Sequence, residues 1–475
     1  MAQGKFQSLV PIWLIIILGV PLMIVISLMA INSTRNLILA SIGLTICYLF
    51  FRYFEPTTIA LLVLRSALDI FSKQQLPALF AVGVDALVIA YICYLFIARK
   101  KINVDRFWWL LMGWFSLQSL WVILLFLGGL GGDPSLIGES LREWVRLSSG
   151  GLIYLLVMQL KGRIAPERLI NLLFLCVAVP TVLGLLQTLP ISLPALISSS
   201  TNTGISRVQG SFGHPNRFAD FSLLFIALSL WKGEHAKQPR KWYVISALLV
   251  FLLLTTKSLT GLVMLAVFLS VYFLPKLKGK NILWVIGIVG VIGVLLATNS
   301  LGDRLGELSA TPLFNPDIDW QRGIDLQHAD SVEYANSFNW RLAHWADLLQ
   351  RLHWHPWLGY GLATTKSIST FNNTAHNDYV RFLFEGGIIG FIAFLLFLFA
   401  QLSRLVQLIN VSSPGSPRQR LGITLLAVQV AMLVAMLTGN VMTSTSMLFY
   451  WWALLAVLGW QWSEQSHADH KKTAT

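Results

Sequence analysis

The chain has 475 residues, 55% of them hydrophobic and 12% charged, with a formal net charge of +13. Soluble domains carry roughly 25% charged residues, so this balance, with apolar runs recurring from end to end, excludes a soluble globular protein. The runs are continuous rather than alternating, which excludes a β-barrel and predicts an all-α polytopic membrane protein. The positive charge then reads as anchoring of cytoplasmic loops rather than as a nucleic-acid surface.

A helix needs about 20 apolar residues to cross a bilayer, and shorter runs can manage with snorkelling ends. On that measure roughly 12 to 14 crossings are expected, near 12–31, 37–54, 57–72, 77–98, 107–128, 143–160, 168–189, 217–231, 242–256, 259–275, 281–298, 379–402, 421–438 and 446–462. The first follows M-A-Q-G-K-F-Q-S with no small-residue cleavage site, so it is expected to be retained. Cys47, Cys93 and Cys176 sit inside apolar runs and suggest neither a disulfide framework nor a metal site.

With the N-terminus in the cytoplasm, the basic clusters fall on one side: Arg99 to Lys101, Lys161 with Arg163, Lys232 to Lys241, Lys276 to Lys280, Arg404 with Arg418 and Arg420, and Lys471 with Lys472. The positive-inside rule then predicts a plasma-membrane protein with both termini cytoplasmic. The expected organisation is a bundle over 1–298 with an outer loop at 190–216, a large extracytoplasmic loop over 299–378, membrane helices over 379–462 and a cytoplasmic tail over 463–475. The large loop exceeds ordinary connections and is expected to be functional. Its first part is acidic, from Asp303 to Glu333. Its second part spaces Trp345, Leu348, Leu349 and Leu352 as a short amphipathic helix, with Asn339 as the expected N-cap, lying on the membrane surface or against the bundle mouth.

Polar chemistry gathers on the outer side. Arg341 opens the amphipathic helix, and a guanidinium binds phosphate oxygens through paired planar hydrogen bonds; the plain alternative is an arginine snorkelling to headgroups. His376, followed by Asn377 and Asp378, precedes a membrane helix. The positive helix end disfavours imidazolium, and a neutral imidazole is what a general base must be. Glu385, further into that helix, is an intramembrane carboxylate and hence a candidate, or a partner for Arg381. In the shorter outer loop, R-V-Q-G-S-F-G-H-P-N-R at 207–217 places Arg207, His214, Asn216 and Arg217 where positive-inside would not put charge. Lys257 sits at another outer turn, and Arg142 and Arg146 flank Glu143 at a further outer helix end, more in keeping with structural ion pairs. Arg65 and Asp69 are expected to pair within an apolar run. There is no P-loop, metalloprotease spacing or nucleophile elbow.

Three motifs in order carry a resemblance: R-V-Q-G-S-F-G-H-P-N at 207–216, W-R-L-A-H-W through H-P-W-L-G-Y-G at 340–361, and H-N-D-Y-V-R-F-L-F-E-G-G-I-I-G at 376–390. With them the chain resembles the O-antigen ligase and O-antigen polymerase superfamily, bacterial membrane glycosyltransferases of the GT-C type. The resemblance implies an inverting, metal-independent enzyme without a cofactor. It implies an undecaprenyl-diphosphate-linked glycan donor and a glycan or lipid-linked acceptor on the outer face of the plasma membrane. Under it, Arg207 and Arg341 would hold the diphosphate and His376 would deprotonate or orient the acceptor hydroxyl. His214, Asn216, Arg217, Lys257, Asn377 and Glu385 would contact substrate. The chain departs from the family at Lys257-Ser258, where a Ser-Arg pair is common. A protein O-oligosaccharyltransferase is a variant of the same reading. A transporter of a small anion such as bicarbonate is the rival from another class, but it should show repeat symmetry and broken helices at the midplane rather than polar residues gathered at one face.

Overall fold

A computed structural model describes residues 34–191, 193–194, 197–202, 205–273 and 337–462. The expected spans at 12–31 and 281–298, the acidic stretch from Asp303 to Glu333 and the tail over 463–475 lie outside the described residues. Each of the other expected segments is helical. In chain order the principal helices are α1 (Thr34–Arg52), α2 (Phe54–Leu68), α3 (Leu76–Ile97), α4 (Arg106–Phe126), α5 (Ile137–Met158), α6 (Pro166–Leu173), α7 (Ala178–Thr188), α8 (Pro215–Gly233), α9 (Pro239–Thr255) and α10 (Leu259–Phe273). They continue with α11 (Ser337–Leu352), α12 (Thr365–Ile368), α13 (Asp378–Asn410), α14 (Pro417–Ala435) and α15 (Thr445–Leu458).

Among the described residues, five helical stretches are long and apolar enough to cross a membrane: Leu76–Ile97, Arg106–Phe126, Pro166–Thr188, Asp378–Asn410 and Pro417–Ala435. The protein is an all-α polytopic membrane protein. One local departure from the helical expectation is a short antiparallel hairpin in the 190–216 loop, Ser200–Asn202 against Ile205–Arg207.

Helix boundaries follow ordinary chemistry. Asp105 caps α4 by accepting from Trp108 N at 2.9 Å. Ser416 caps α14 ahead of a proline whose missing N–H costs nothing at that position. Two helices form the centre. Helix α15 is buried from Ser446 to Leu458, and α8 is buried along most of its length, as befits helices that are apolar all round. Gly150 of α5 lets Trp452 of α15 approach where a Cβ would clash.

Several buried polar groups in this core are paired, which offsets their desolvation. Arg65 Nη1 donates to Asp69 Oδ1 at 2.6 Å, the expected pair, and Arg65 Nη2 reaches Thr445 Oγ1 at 3.2 Å. Ser444 donates to Asp220 at 2.8 Å, and Tyr450 Oη donates to Leu62 O at 3.0 Å. These bonds lock α15 against α2 and α8, and α8 carries the first motif at its start.

Candidate active site on one face of the helix bundle

The first motif is a clamped loop. Gln187 of α7 donates to Gly210 O at 2.9 Å and accepts from the N–H groups of Gln209 and Gly210, both at 2.9 Å. Ser211 donates to Ser66 O at 2.8 Å. Gly210 has φ +55° and a Cβ there would press on Phe218 and the Pro180 carbonyl, so the turn needs glycine. The chain then enters α8 with His214 as N-cap, its Nδ1 accepting from Asn216 N at 3.2 Å. Arg207 is buried; its Nε donates to Thr256 O at 2.9 Å and its Nη2 to Asn216 Oδ1 at 3.0 Å. Asn216 thus orients Arg207. Lys257, beside Thr256, is half-buried in a left-handed conformation with φ +50°.

The second and third motifs fold onto each other. Helix α13 is broken at Gly387, with φ +62° and ψ −167°. The backbone groups freed by the break are taken up by the H-P-W-L-G-Y-G loop. Tyr360 N–H donates to Phe384 O at 3.2 Å and Gly361 N–H to Glu385 O at 2.8 Å, while Ile388 N–H donates to Pro356 O at 2.8 Å and Ile389 N–H to Trp357 O at 3.2 Å. A broken membrane helix is tolerated where neighbouring protein re-satisfies its backbone in this way. Trp121 Nε1 anchors the loop from α4 by donating to Leu358 O at 2.8 Å.

Helix α11 starts at Ser337, so Asn339 lies inside it and is not its cap. It docks on the protein, one of the two expected placements. Ala343, His344, Asp347 and Leu348 are buried, whereas Leu349 is 46% exposed. The polar members of that face are buried because the 369–375 stretch supplies partners. Asp347 Oδ2 accepts from Ser369 Oγ at 3.0 Å and Thr370 N at 3.2 Å, and Trp345 Nε1 donates to Ala375 O at 2.6 Å.

These elements bring Arg341, His376, His214, Arg207 and Arg217 into one electrostatic neighbourhood. His376 lies within reach of the charges of Arg341, His214 and His344, and His214 within reach of Arg217 and Arg207. Withdrawal from water, then Arg341, hold His376 down to about 4. Withdrawal from water, then Arg217 and Arg207, hold His214 down to about 4. Burial and neighbouring cations both disfavour imidazolium there. His214 and Arg217 are solvent-exposed. Arg217 also lies within electrostatic reach of Asp69, Arg146, Asp220 and Arg65.

Two sequence candidates are engaged elsewhere. Asn377 caps α13 by accepting from Val380 N at 3.1 Å. Glu385 is buried with Arg381, whose Nε lies 3.2 Å from its carboxylate, and accepts from Thr365 Oγ1 at 2.7 Å. Arg381 also pairs with Glu143 of α5, which pairs in turn with Arg146. This network ties α13 to α5 beneath the cluster, and it is the structural pairing the sequence offered as the alternative for Glu385.

Two further side chains at the cluster escaped the sequence reading. His344 is fully buried, stacks on Phe371 with ring centroids 5.0 Å apart, and meets Trp340 at 5.2 Å. Trp340 in turn touches His376 at 5.6 Å. Asn440, from the turn between α14 and α15, brings its side-chain amide to 3.4 Å from His376 Nδ1. Its signal in the sequence is T-G-N-V at 438–441, a turn on the same outer side as His376 by the parity of the spans.

The family model described as O-antigen ligase matches residues 244–395. That stretch includes Lys257, Arg341, His376, Asn377 and Glu385. The chain is also similar to a General O-oligosaccharyltransferase of Acinetobacter baylyi (strain ATCC 33305 / BD413 / ADP1), 27% identical over 217 residues, covering 43% of this chain and 34% of the relative. The chain thus matches about a third of the length of that curated relative. These matches agree with the three motifs and support the resemblance to the O-antigen ligase and polymerase family.

Proposed function

We propose that the protein is a metal-independent inverting glycosyltransferase that moves a glycan from an undecaprenyl-diphosphate donor to an acceptor hydroxyl on the outer face of the plasma membrane. The observation that carries the reading is a histidine, His376, held down to about 4 by burial and Arg341 and lying within reach of His214, which has Arg217 and Arg207 beside it. A cationic neighbourhood suits a diphosphate, and a neutral imidazole within it suits a base. In this mechanism Arg207 and Arg341 hold the diphosphate, with His214 and Arg217 nearby. His376 takes the proton of the acceptor hydroxyl. The acceptor oxygen forms a bond to the anomeric carbon as the bond from that carbon to the diphosphate oxygen breaks. The departing diphosphate keeps the electron pair, and fixed guanidinium groups stabilise its developing charge. A diphosphate leaves readily, so no general acid is required.

Polymerase, ligase and protein O-oligosaccharyltransferase share this chemistry and differ in acceptor. The name of the Acinetobacter relative favours keeping the last as a second reading. Reconstitution with a lipid-linked oligosaccharide separates them. A ladder of lengths marks a polymerase, one addition to a lipid acceptor a ligase, and glycan on protein an oligosaccharyltransferase. Unconsumed donor would sink the proposal and revive the transporter. Arg341→Ala and His376→Ala are each expected to abolish transfer, about a thousandfold or more for loss of a charge-stabilising donor or base, while the protein still inserts. Wild-type product from both variants would contradict the assignment.

A further inference from the structure

The turn that delivers Asn440 is stapled to the start of α13. Asp378 N–H donates to Met436 O at 2.9 Å, and Met442 N–H donates to Asp378 Oδ2 at 2.9 Å. Tyr379 Oη donates to Leu433 O at 2.9 Å. The residues next to His376 therefore grip both sides of the segment that carries Asn440. His376 itself sits in a left-handed conformation, φ +50°. Such a backbone costs of order 1–3 kcal/mol in a non-glycine residue and persists where its surroundings hold it.

Within this frame the Asn440 side-chain nitrogen lies 2.9 Å from Thr374 Oγ1, to which it donates, and 3.4 Å from His376 Nδ1. The other end of the amide is buried with no hydrogen-bond partner. His376 is half-buried and no hydrogen bond ties its Nε2 to a described residue, so Nε2 is the ring nitrogen left for a substrate. An amide fits its site in either of two orientations of nearly equal shape, and the surrounding bonds decide between them. With the nitrogen toward His376, Asn440 would donate to Nδ1 and force the ring proton onto Nε2. With the oxygen there, it accepts from Nδ1–H and from the Thr374 hydroxyl together, which leaves the Nε2 lone pair free. Either arrangement satisfies both neighbours; the second, which turns the amide over, is the one that gives a base at the nitrogen that faces outward.

We propose that Asn440 is the positioning residue for His376: its side-chain oxygen accepts from Nδ1–H, selecting the tautomer whose Nε2 can take the acceptor proton. This rests on the glycosyltransferase reading of His376. The ring nitrogen that a neighbour binds sets what the other can do, and a base oriented by a third group is the general form of such sites. Among the described residues, the other groups facing the ring are Arg341, His344 and Trp340 from α11 and His214 from the first-motif loop. None of them is a carboxylate, so an uncharged acceptor orients the ring without stabilising its protonated form.

Two measurements on the full-length protein in liposomes test this. The first is transfer from a lipid-linked oligosaccharide. Asn440→Ala is expected to lower kcat about ten- to a hundredfold, as loss of an orienting partner typically does, with KM for the donor held. Asn440→Asp keeps the acceptor oxygen but adds charge beside Nδ1–H. It is expected to retain activity and to move the acid limb of the pH profile upward. The second needs no turnover: the pH dependence of His376 modification by diethyl pyrocarbonate, read by mass spectrometry, which follows the neutral ring. Its midpoint is expected at higher pH in Asn440→Asp than in the natural protein. An unchanged midpoint in Asn440→Asp, or a wild-type kcat in Asn440→Ala, overturns the proposal. If the natural protein transfers no glycan, the proposed function fails, while the modification midpoint still reads whether Asn440 governs the ring. Asn440→Asp is isosteric, so the test stands even if Asn440→Ala does not insert.

Discussion

His344 shows how a single side chain reports its surroundings. It is fully buried, its ring nitrogens have no hydrogen-bond partner, and withdrawal from water holds it down to about 4. His214 and His376 are held near the same value. An unfolded chain protonates these groups near pH 6.5. Between about 6.5 and 4 the unfolded state therefore binds protons that the folded state refuses, and stability falls as pH falls through that window. Below about 4 both states are protonated and the dependence levels off. Thermal unfolding in detergent across this range is expected to show the decline. His344→Phe is expected to make it shallower by up to about 1.4 kcal/mol per pH unit. An unchanged slope in that variant would mean that His344 does not titrate differently in the two states. The residue types at this scale were readable from the chain; their protonation was not, because burial and distant neighbours set it.

At the scale of elements, the decisive feature is the interlock between the break in α13 and the loop over 356–361. Gly359 and Gly387 have φ +67° and +62°; Gly359 lies against the backbone of Phe384 to Gly387, and Gly387 against that of Trp357 and Leu358. A Cβ on Gly359 would stand 2.5 Å from Gly387 N and Phe384 O. Gly387→Ala is expected to destabilise the protein by at least about 2 kcal/mol, since it combines left-handed strain with a backbone clash. A lowered melting temperature in detergent is the measurement; an unchanged one would show that the loop gives way at no cost. The sequence displayed both motifs and their glycines, but not that one repairs the hydrogen bonding of the other. Similarly, the periodicity of α11 marked a helix and part of its buried face: Leu348 is buried and Trp345 and Leu352 half-buried, but Leu349 is exposed while His344 and Asp347 are buried. Hydrophobic spacing assumes an apolar partner, and here Ser369, Thr370 and Ala375 supply polar ones.

For the whole molecule, the arrangement requires the 369–376 turn and the 411–416 turn to lie on opposite sides of the membrane, joined by α13. We expect Asn373→Cys to react with a membrane-impermeant maleimide from outside the cell. Ser413→Cys should react only after the membrane is opened. The reverse pattern would invert the proposed orientation and remove the cluster from the outer face. Asn373 is exposed at one end of α13 and residues 411–416 form the turn at the other, so the assay reads the crossing directly.

By itself the sequence determined the class of protein, the helical segments among the described residues and the residue types at the cluster. Continuous apolar runs permit few other solutions in lipid, and Arg and His are conspicuous against them. Its pairing of Arg65 with Asp69, and the alternative it offered of Arg381 with Glu385, followed from helical spacing, a local property. Tertiary structure alone decided what depends on residues far apart in the chain. It brought the Arg207 loop to His376 through His214 and gave Glu143 to Arg381. It also set Asn440 against His376. Spacing along one helix is written in the chain, whereas contact between helices arises only when the core closes around α8 and α15.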